Sequence, residues 1–463
     1  MSRGTIFGTR PAGVRVPSVD AMTWSRRRKI LAVAAAVFLV VLTWFSYEIL
    51  TVYYSESNPT IDSRAVLRSL TLDGAGMTAE QGDAAWSLLV EVFDVMDEVQ
   101  AEVNAMCDAG EFKVRDEYLL EVDYGLVLSG LTLPLHIEPE RRAIAMLHDR
   151  GVFEELRRFS GGPPGLRPTT GEGPLFFDQV NRNRARGLAM LSGAAMRLAA
   201  ADGDLAGVVA AFDQTLALAR AVAWQLDPLD YLTAVAIEGL AMQELLLELM
   251  ELDFDERSCL ALLKSIDRHA TFPGAAVILQ AERVVNDDLL QWCYSDDGAG
   301  DGYWIAAPAA ASVSELSDQS LFGATMARFF YATRAQAAAG YDEDKDSARL
   351  LRHHLRQSFR NAGTRIMVML QLHRCLHGGY PASLDEMADE PPVDPLHGLP
   401  FGYRLLEDDP DGRGYLLYSI GLDRTDDGGV EVGPGASRWL AVNDPDTAGS
   451  DFVVNKPRQT GQE

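Results

Sequence analysis

The longest apolar pattern of the chain lies near its N-terminus. Residues 30–47 carry no charge and are rich in Ala, Val and Leu, and the run reaches residue 54 if Glu48 lies at a membrane interface. About 20 such residues cross a bilayer as a helix. Trp44 and Tyr47 lie where the aromatic belt of a membrane protein is found. The pattern therefore predicts a transmembrane helix over residues 30–50.

Beyond residue 77 most apolar positions recur with the period of a helix. Trp86, Leu89, Phe93 and Met96, for example, follow one another at intervals of three or four. Predicted helices cover residues 78–109, 138–159, 181–201, 205–224, 231–252, 256–269, 273–292 and 346–377. Residues 59–73 are expected to form a connector, and residues 112–134 fit either a helix or short strands. The predicted fold class is therefore mostly α.

Short connections predict helical hairpins in the middle of the chain. A turn as short as Asp202-Gly203-Asp204 forces its two helices to run antiparallel. The hairpin over residues 198–219 resembles one tetratricopeptide unit in its small residues and its turn, and an ordinary helical hairpin is the alternative. We expect an N-terminal helical region over residues 58–173 and a tetratricopeptide-like, helical-hairpin domain over residues 174–360.

Residues 365–455 have a mixed pattern that predicts a small α+β module. A helix leads into Tyr-Pro at residue 380, a turn follows near residue 394, and residues 415–420 alternate as a strand. The next loop places three carboxylates within five positions, those of Asp423, Asp426 and Asp427. Calcium takes about six to eight oxygen ligands, which a flexible acidic loop can supply. Asp451 is the candidate for a closing carboxylate, so these four aspartates form a predicted metal site.

This series resembles the C-terminal β-region and calcium loop of the major pseudopilins of type II secretion. The residues that carry the resemblance are Tyr380-Pro381-Ala382-Ser383-Leu384, Asp394-Pro395-Leu396-His397-Gly398 and the loop over residues 421–429. The resemblance implies a pseudopilin-like module that binds calcium through loop aspartates and backbone carbonyls. Arg424 stands where the family has a glycine, so an acidic turn held by hydrogen bonds is the alternative to a bound ion.

The pseudopilin resemblance does not extend to the N-terminus. Pseudopilins are processed at a Gly-Phe-Thr-Leu-x-Glu site before their apolar helix, whereas this chain has Lys29-Ile30-Leu31 there. We therefore do not expect it to polymerise as a pilus subunit. The layout as a whole is similar to that of large sets of membrane-anchored envelope proteins of planctomycete-type bacteria, a likeness that implies an organisation and no activity.

Charge predicts the orientation of the chain and excludes one class of partner. The net charge is −26, and an acidic surface of this kind disfavours nucleic acid, because phosphate binding needs clustered Lys and Arg. Residues 1–50 carry +5 and the remainder −31, with four basic residues directly before the apolar run. By the positive-inside rule, residues 1–29 form a cytoplasmic tail that we expect to be disordered. A cleaved signal peptide is the alternative, but the run is long and lacks a small-x-small site.

No set of residues with the spacing of a known catalytic motif is present. The sequence has no G-x-S-x-G elbow, P-loop or dinucleotide fingerprint in its structural context. None of the four cysteines belongs to a C-x-x-C pair, although a disulfide is possible in an oxidising compartment. His373 and His377 are four apart on one predicted helix, but no carboxylate completes a zinc site. We therefore predict a protein that is not an enzyme.

Together these observations predict a single-pass protein of the inner (cytoplasmic) membrane with its large domain in the periplasm. The expected function is binding or scaffolding in the envelope, with protein partners there, calcium as the possible cofactor and no nucleic acid. The alternatives are an auxiliary component of a type II secretion or pilus-like machine and an envelope hydrolase.

Overall fold

The computed structural model describes residues 19–54, 60–110, 137–167, 179–269, 272–293, 343–409, 412–421, 424–430 and 451–456. The chain divides into two compact units, one of Met1–Asn58 and Leu290–Ala339, the other of Pro59–Leu289 and Gly340–Glu463. The described residues are mostly helical with one small antiparallel sheet, which confirms the predicted mostly-α class. A tetratricopeptide-like arrangement stays a prediction.

Helix α1 (Val19–Tyr54) contains the predicted apolar run. Its segment Lys29–Tyr47 is long and apolar enough to cross a membrane, and none of it is buried within the protein. Large apolar side chains such as Leu31 and Phe38 are exposed along it. A signal sequence near an N-terminus can have the same length and composition as this helix. The helix by itself therefore fits both a membrane anchor and a signal sequence.

The stretch predicted to be a connector is instead helix α2 (Ser63–Ala75). Asp62 caps its start by accepting the Ala65 N–H at 3.0 Å, and Gly76 ends it in the left-handed conformation with a φ of 63°. These two local caps and a short apolar face are enough to form three turns of helix. The connector prediction was wrong because it missed both caps.

Residues 138–159 form two helices rather than the single one predicted. α3 (Ala79–Asp108) is followed by α4 (Ile137–Asp149) and α5 (Val152–Ser160). Gly151 has a φ of 77°, a left-handed value that an α-helix cannot continue through. The glycine therefore ends α4 and allows α5 to start in a new direction.

The remaining helices lie within a few residues of their predicted bounds. They are α6 (Gln179–Ala201), α7 (Leu205–Ala223), α8 (Pro228–Glu251), α9 (Glu256–His269), α10 (Ala275–Cys293) and α11 (Glu343–His377). α7 is also apolar enough to cross a membrane, but most of it is buried among its neighbours. Its strongest contacts are with α6 and α8, as antiparallel helical hairpins require.

Three strands follow α11 and form the sheet in the order β1-β2-β3. β1 (Gly402–Leu405) and β2 (Tyr415–Ser419) pair antiparallel with Gly402 opposite Tyr418, and β3 (Phe452–Val453) pairs with the other edge of β2. Every residue of the central strand β2 is buried. The Asn455 side chain extends the pairing, since it accepts the Leu417 N–H and donates to the Tyr415 carbonyl.

Two apolar clusters hold the second unit together. One cluster contains residues from each of the helices α2 through α8, together with residues of α10 and Leu350 of α11. The other cluster contains residues from each of the helices α6 through α9, from α11 and from the sheet. Phe212, Ile366 and Leu417 belong to it. The predicted domain boundaries near residues 173 and 360 stay predictions. Helix α11 runs through the second of them without a break.

Candidate functional site

The loop after β2 is positioned by the packing of one tyrosine. The ring of Tyr418 lies over Gly402, where an added Cβ would come within 2.3 Å of the ring, so only glycine leaves room for it. The Tyr418 hydroxyl then donates to Asp426 Oδ1 at 2.9 Å. The same oxygen accepts the Gly428 N–H at 2.9 Å, which turns the chain toward β3. Burial and the Asp426 carboxylate raise the pKa of Tyr418 to about 12.

Asp451 closes this loop from the other side. Its side chain is buried, with the residue only 1% exposed, and its Oδ2 accepts the Gly429 N–H at 2.6 Å. The Asp451 N–H donates in turn to the Val430 carbonyl at 3.0 Å. The start of β3 and the end of the acidic loop are thus joined by two hydrogen bonds that run in opposite directions.

Two buried carboxylate oxygens of this site accept no hydrogen bond from the described residues. They are Oδ1 of Asp451 and Oδ2 of Asp427. Burial raises the pKa of Asp451, and the negative charges of Asp426 and Asp427 raise it further. Buried acceptors normally have a partner, and carboxylates that repel one another are stabilised by a cation. A cation with oxygen ligands would offset this repulsion.

Three of the four predicted metal ligands, Asp426, Asp427 and Asp451, lie within the described residues. Asp423 lies outside the described residues. Within the described ranges, no group of three or more His, Cys, Asp or Glu side chains has the arrangement of a metal site. Arg424 has a φ of 59° and an exposed side chain, and among the described residues it forms no ion pair with Asp426, Asp427 or Asp451.

The turn before β1 contains a buried acid and histidine that the sequence did not single out as a pair. Asp394 Oδ2 lies 3.0 Å from His397 Nε2, and both side chains are fully buried. The Leu399 N–H donates to His397 Nδ1 at 3.1 Å, so the ring proton is on Nε2 and faces the carboxylate. Asp394 also accepts the Leu396 N–H. These contacts hold the turn that leads into β1.

A polar contact between α8 and α11 was also missed. Glu238 is only 2% exposed, and the Asn361 amide donates to its Oε1 at 2.7 Å. Burial raises the pKa of Glu238 to about 7, while Asn361, Gln357 and the Arg360 charge oppose the shift. The guanidinium of Arg360 occupies the space beside Gly239, where an added Cβ would lie 2.2 Å from it. The sequence signal for this contact is Glu238 itself, a glutamate on an otherwise apolar face of α8.

A third polar cluster contains a serine, a histidine and an aspartate. Ser265 Oγ donates to Asp213 Oδ1 at 2.5 Å, and His269 Nε2 lies 3.1 Å from the same oxygen. These hydrogen bonds, which offset the burial of Asp213, lower its pKa to about 2. In a hydrolytic triad the serine instead donates to the histidine. This cluster therefore joins α7 to α9 and does not activate the serine.

The predicted histidine pair lies at the exposed end of α11. The rings of His373 and His377 are 4.4 Å apart, and His373 Nδ1 lies 3.0 Å from the Gly379 carbonyl. A nitrogen facing a carbonyl carries the proton, so His373 caps the helix end. Earlier on the same helix, His354 Nδ1 lies 2.8 Å from the Tyr231 hydroxyl. The described residues do not combine these histidines into one site.

Comparison with protein-family models, with curated proteins and with solved structures finds no match to this chain.

Proposed function

We propose that this chain is a single-pass binding or scaffolding protein anchored in the inner membrane, with its helical unit and sheet in the periplasm. The observation that carries the proposal is the exposed apolar segment Lys29–Tyr47 of α1. An apolar helical surface of this length is stable in lipid and not in water. The basic residues directly before it favour a cytoplasmic N-terminus.

Membrane attachment and orientation are tested together. An alkaline phosphatase reporter fused after Glu463 should be active, and a fluorescent reporter that folds only in the cytoplasm should be dark there. The protein should stay in the membrane pellet after alkaline carbonate extraction. The opposite reporter pattern would contradict the orientation. A mature N-terminus between residues 47 and 60 would identify α1 as a cleaved signal.

The acidic loop gives the proposed scaffold a calcium site. Asp426, Asp427 and Asp451, together with Asp423, are the residues that would hold the ion. The support is the chemistry of the donor set, in which two buried carboxylate oxygens have no other partner among the described residues. Calcium would supply positive charge that offsets the repulsion between these carboxylates. Its role here is structural, since it would tie the end of the loop to β3.

Calcium should raise the melting temperature of the full chain in detergent. A ligand that binds only the folded state stabilises it by about 2.7 kcal/mol at a hundredfold excess over Kd. Asp423→Ala and Asp427→Ala should each remove the calcium response. Asp202→Ala, in the exposed turn between α6 and α7, is the control and should keep it. A wild-type melt that millimolar calcium leaves unchanged would end the calcium proposal and leave the anchor proposal standing.

The order of elements after residue 343 favours a second candidate, an auxiliary component of a type II secretion or pilus-like machine. A long helix, α11, leads into Tyr380-Pro381 and a three-stranded antiparallel sheet, which is the order expected from the pseudopilin resemblance. Affinity purification from detergent-solubilised membranes distinguishes the two candidates. Recovery of secretion-machine subunits would favour the machine, and recovery of other envelope proteins would favour the scaffold.

A further inference from the structure

Two cysteines from distant parts of the chain meet where α11 crosses the start of α9. Cys259 lies in the first turns of α9 and is fully buried, whereas Cys375 lies near the end of α11 and is exposed. The Cys375 thiol donates to the Phe254 carbonyl at 2.7 Å. The two thiols are close enough to interact, since Cys375 contributes to the raised pKa of Cys259.

The backbone around the two sulfurs is held in place on both sides. Gln371 donates to the Leu249 carbonyl one turn before Cys375, and Arg374 forms an ion pair with Asp253 beside it. The first contact ties α11 to the last turn of α8, and the second ties it to the connection between α8 and α9. The proximity of the two thiols therefore depends on the packing of α11 against α8 and α9.

We propose that Cys259 and Cys375 are a redox pair that closes an intramolecular disulfide by exchange with an external disulfide of the glutathione class. The Cys375 thiolate attacks one sulfur of the external disulfide, which forms a mixed disulfide and releases one thiolate. The Cys259 thiolate then attacks Cys375 Sγ and expels the second. Both cysteines lose a proton, two electrons pass to the external disulfide, and two external thiols result.

Exposure determines the order of the two steps. Cys375 is accessible to a bulky disulfide, and Cys259 is not. Burial, together with Cys375 and Asp255, raises the pKa of Cys259 to about 12, and Arg374 opposes the shift. Only the thiolate attacks a disulfide, so the closing step should accelerate about tenfold for each pH unit between 7 and 9.

Closure links residues 259 and 375 and should raise the melting temperature by roughly 5 °C.

Peptide mapping of the full chain tests the pair. Cys107→Ser and Cys293→Ser are introduced first, so that the pair supplies the thiols. The detergent-solubilised protein is incubated with oxidised glutathione at pH 8, blocked with N-ethylmaleimide and digested with trypsin. The expected product is peptide 258–264 joined to peptide 375–404, two hydrogens lighter than their sum.

Single-cysteine variants distinguish this linkage from chance oxidation. Cys259→Ser should accumulate a glutathione adduct on Cys375 that persists, because no second thiol displaces it. Cys375→Ser should leave Cys259 unmodified until the protein is unfolded. The proposal is overturned if the parent protein keeps both thiols free for N-ethylmaleimide or retains the adduct on Cys375. It is also overturned if the linked peptide forms only in urea.

Discussion

Two buried carboxyl groups, those of Glu238 and Asp451, have raised pKa values for different reasons. For Glu238 the cause is burial, and its neighbours Asn361, Gln357 and Arg360 lower the pKa in part. For Asp451 burial acts together with the negative charges of Asp426 and Asp427. An acid whose pKa is raised by folding stabilises the protein in its neutral form. Each group therefore contributes stability that is present at low pH and is lost as the pH rises.

Glu238 should make the stability of the helical unit depend on pH. Its pKa changes from 4.5 to about 7 on folding, so its contribution is complete below pH 4.5 and is lost as the pH rises to about 7. The loss is on the order of 3 kcal/mol. Glu238→Gln keeps an oxygen for the Asn361 amide and should flatten the fall in melting temperature between pH 5 and 7.5. Glu91→Gln, exposed on α3, should melt like the wild type at both pH values. An unchanged slope in Glu238→Gln would contradict the assignment.

Asp451→Asn should separate the charge of the loop from its hydrogen bonds. The amide oxygen can still accept the Gly429 N–H, but the repulsion from Asp426 and Asp427 is gone. We expect the variant to melt above the wild type in a chelator at pH 7 and to lose the calcium response. The advantage of the variant should shrink as the pH falls and Asp451 of the wild type becomes neutral. A variant that responds to calcium like the wild type would exclude Asp451 as a ligand.

At the scale of single elements, helix α2 shows how one close contact fixes a whole helix. Thr71 Oγ1 donates to the Trp224 carbonyl at 3.0 Å, 153 positions further along the chain. Gly74 lies against the Trp224 ring, where an added Cβ would come within 2.5 Å of it. Since Trp224 is itself buried at the end of α7, its ring has little freedom to move away.

Gly74→Ala should therefore destabilise the protein, although alanine favours a helix. Overpacking of this kind costs about 1–3 kcal/mol. Gly187→Ala is the matched control, because a Cβ there would meet only Met96 at 3.8 Å, an ordinary contact. The control should be neutral or gain up to about 1 kcal/mol from helix propensity. The melting temperatures of the two variants are measured by circular dichroism and compared. Equal melting temperatures would show that the ring moves aside.

At the scale of the whole second unit, the sheet and the helices share a core. Leu417 of β2 is fully buried in the same cluster as Phe212 of α7 and Ile366 of α11. Elements whose apolar side chains pack in one cluster tend to unfold together in one cooperative transition. The shared cluster therefore favours a single melting transition for the helices and the sheet.

Leu417→Ala tests this coupling. Truncation of a buried leucine costs about 2–5 kcal/mol. If the core is shared, the circular dichroism signal at 222 nm, which reports on the helices, should melt at a lower temperature. Leu405→Ala, exposed on the edge strand β1, should change it little. A helical transition that stays in place while the sheet melts earlier would instead support an independent module beginning near residue 365.

Local features of this protein could be predicted from its sequence. The bounds predicted for α9, residues 256–269, are those of the structure, and the Asp255 side chain accepts the Ser258 N–H that caps it. Periodicity and caps depend on residues within about four positions, which a sequence displays directly. Where the prediction is wrong, at α2 and at Gly151, the signals are also local: two helix caps and one glycine in the left-handed conformation. The predicted ligands Asp426 and Asp427 likewise share one short loop.

The tertiary structure alone decided which distant residues meet. Asn361 bonds to Glu238 across 123 positions, and Cys375 bonds to the Phe254 carbonyl across 121 positions. A one-dimensional pattern shows that a helix has an apolar face but does not show which helix covers it. Burial, the raised pKa of Glu238 and the proximity of Cys259 and Cys375 all depend on that choice of partner. These properties could therefore not be predicted from the sequence.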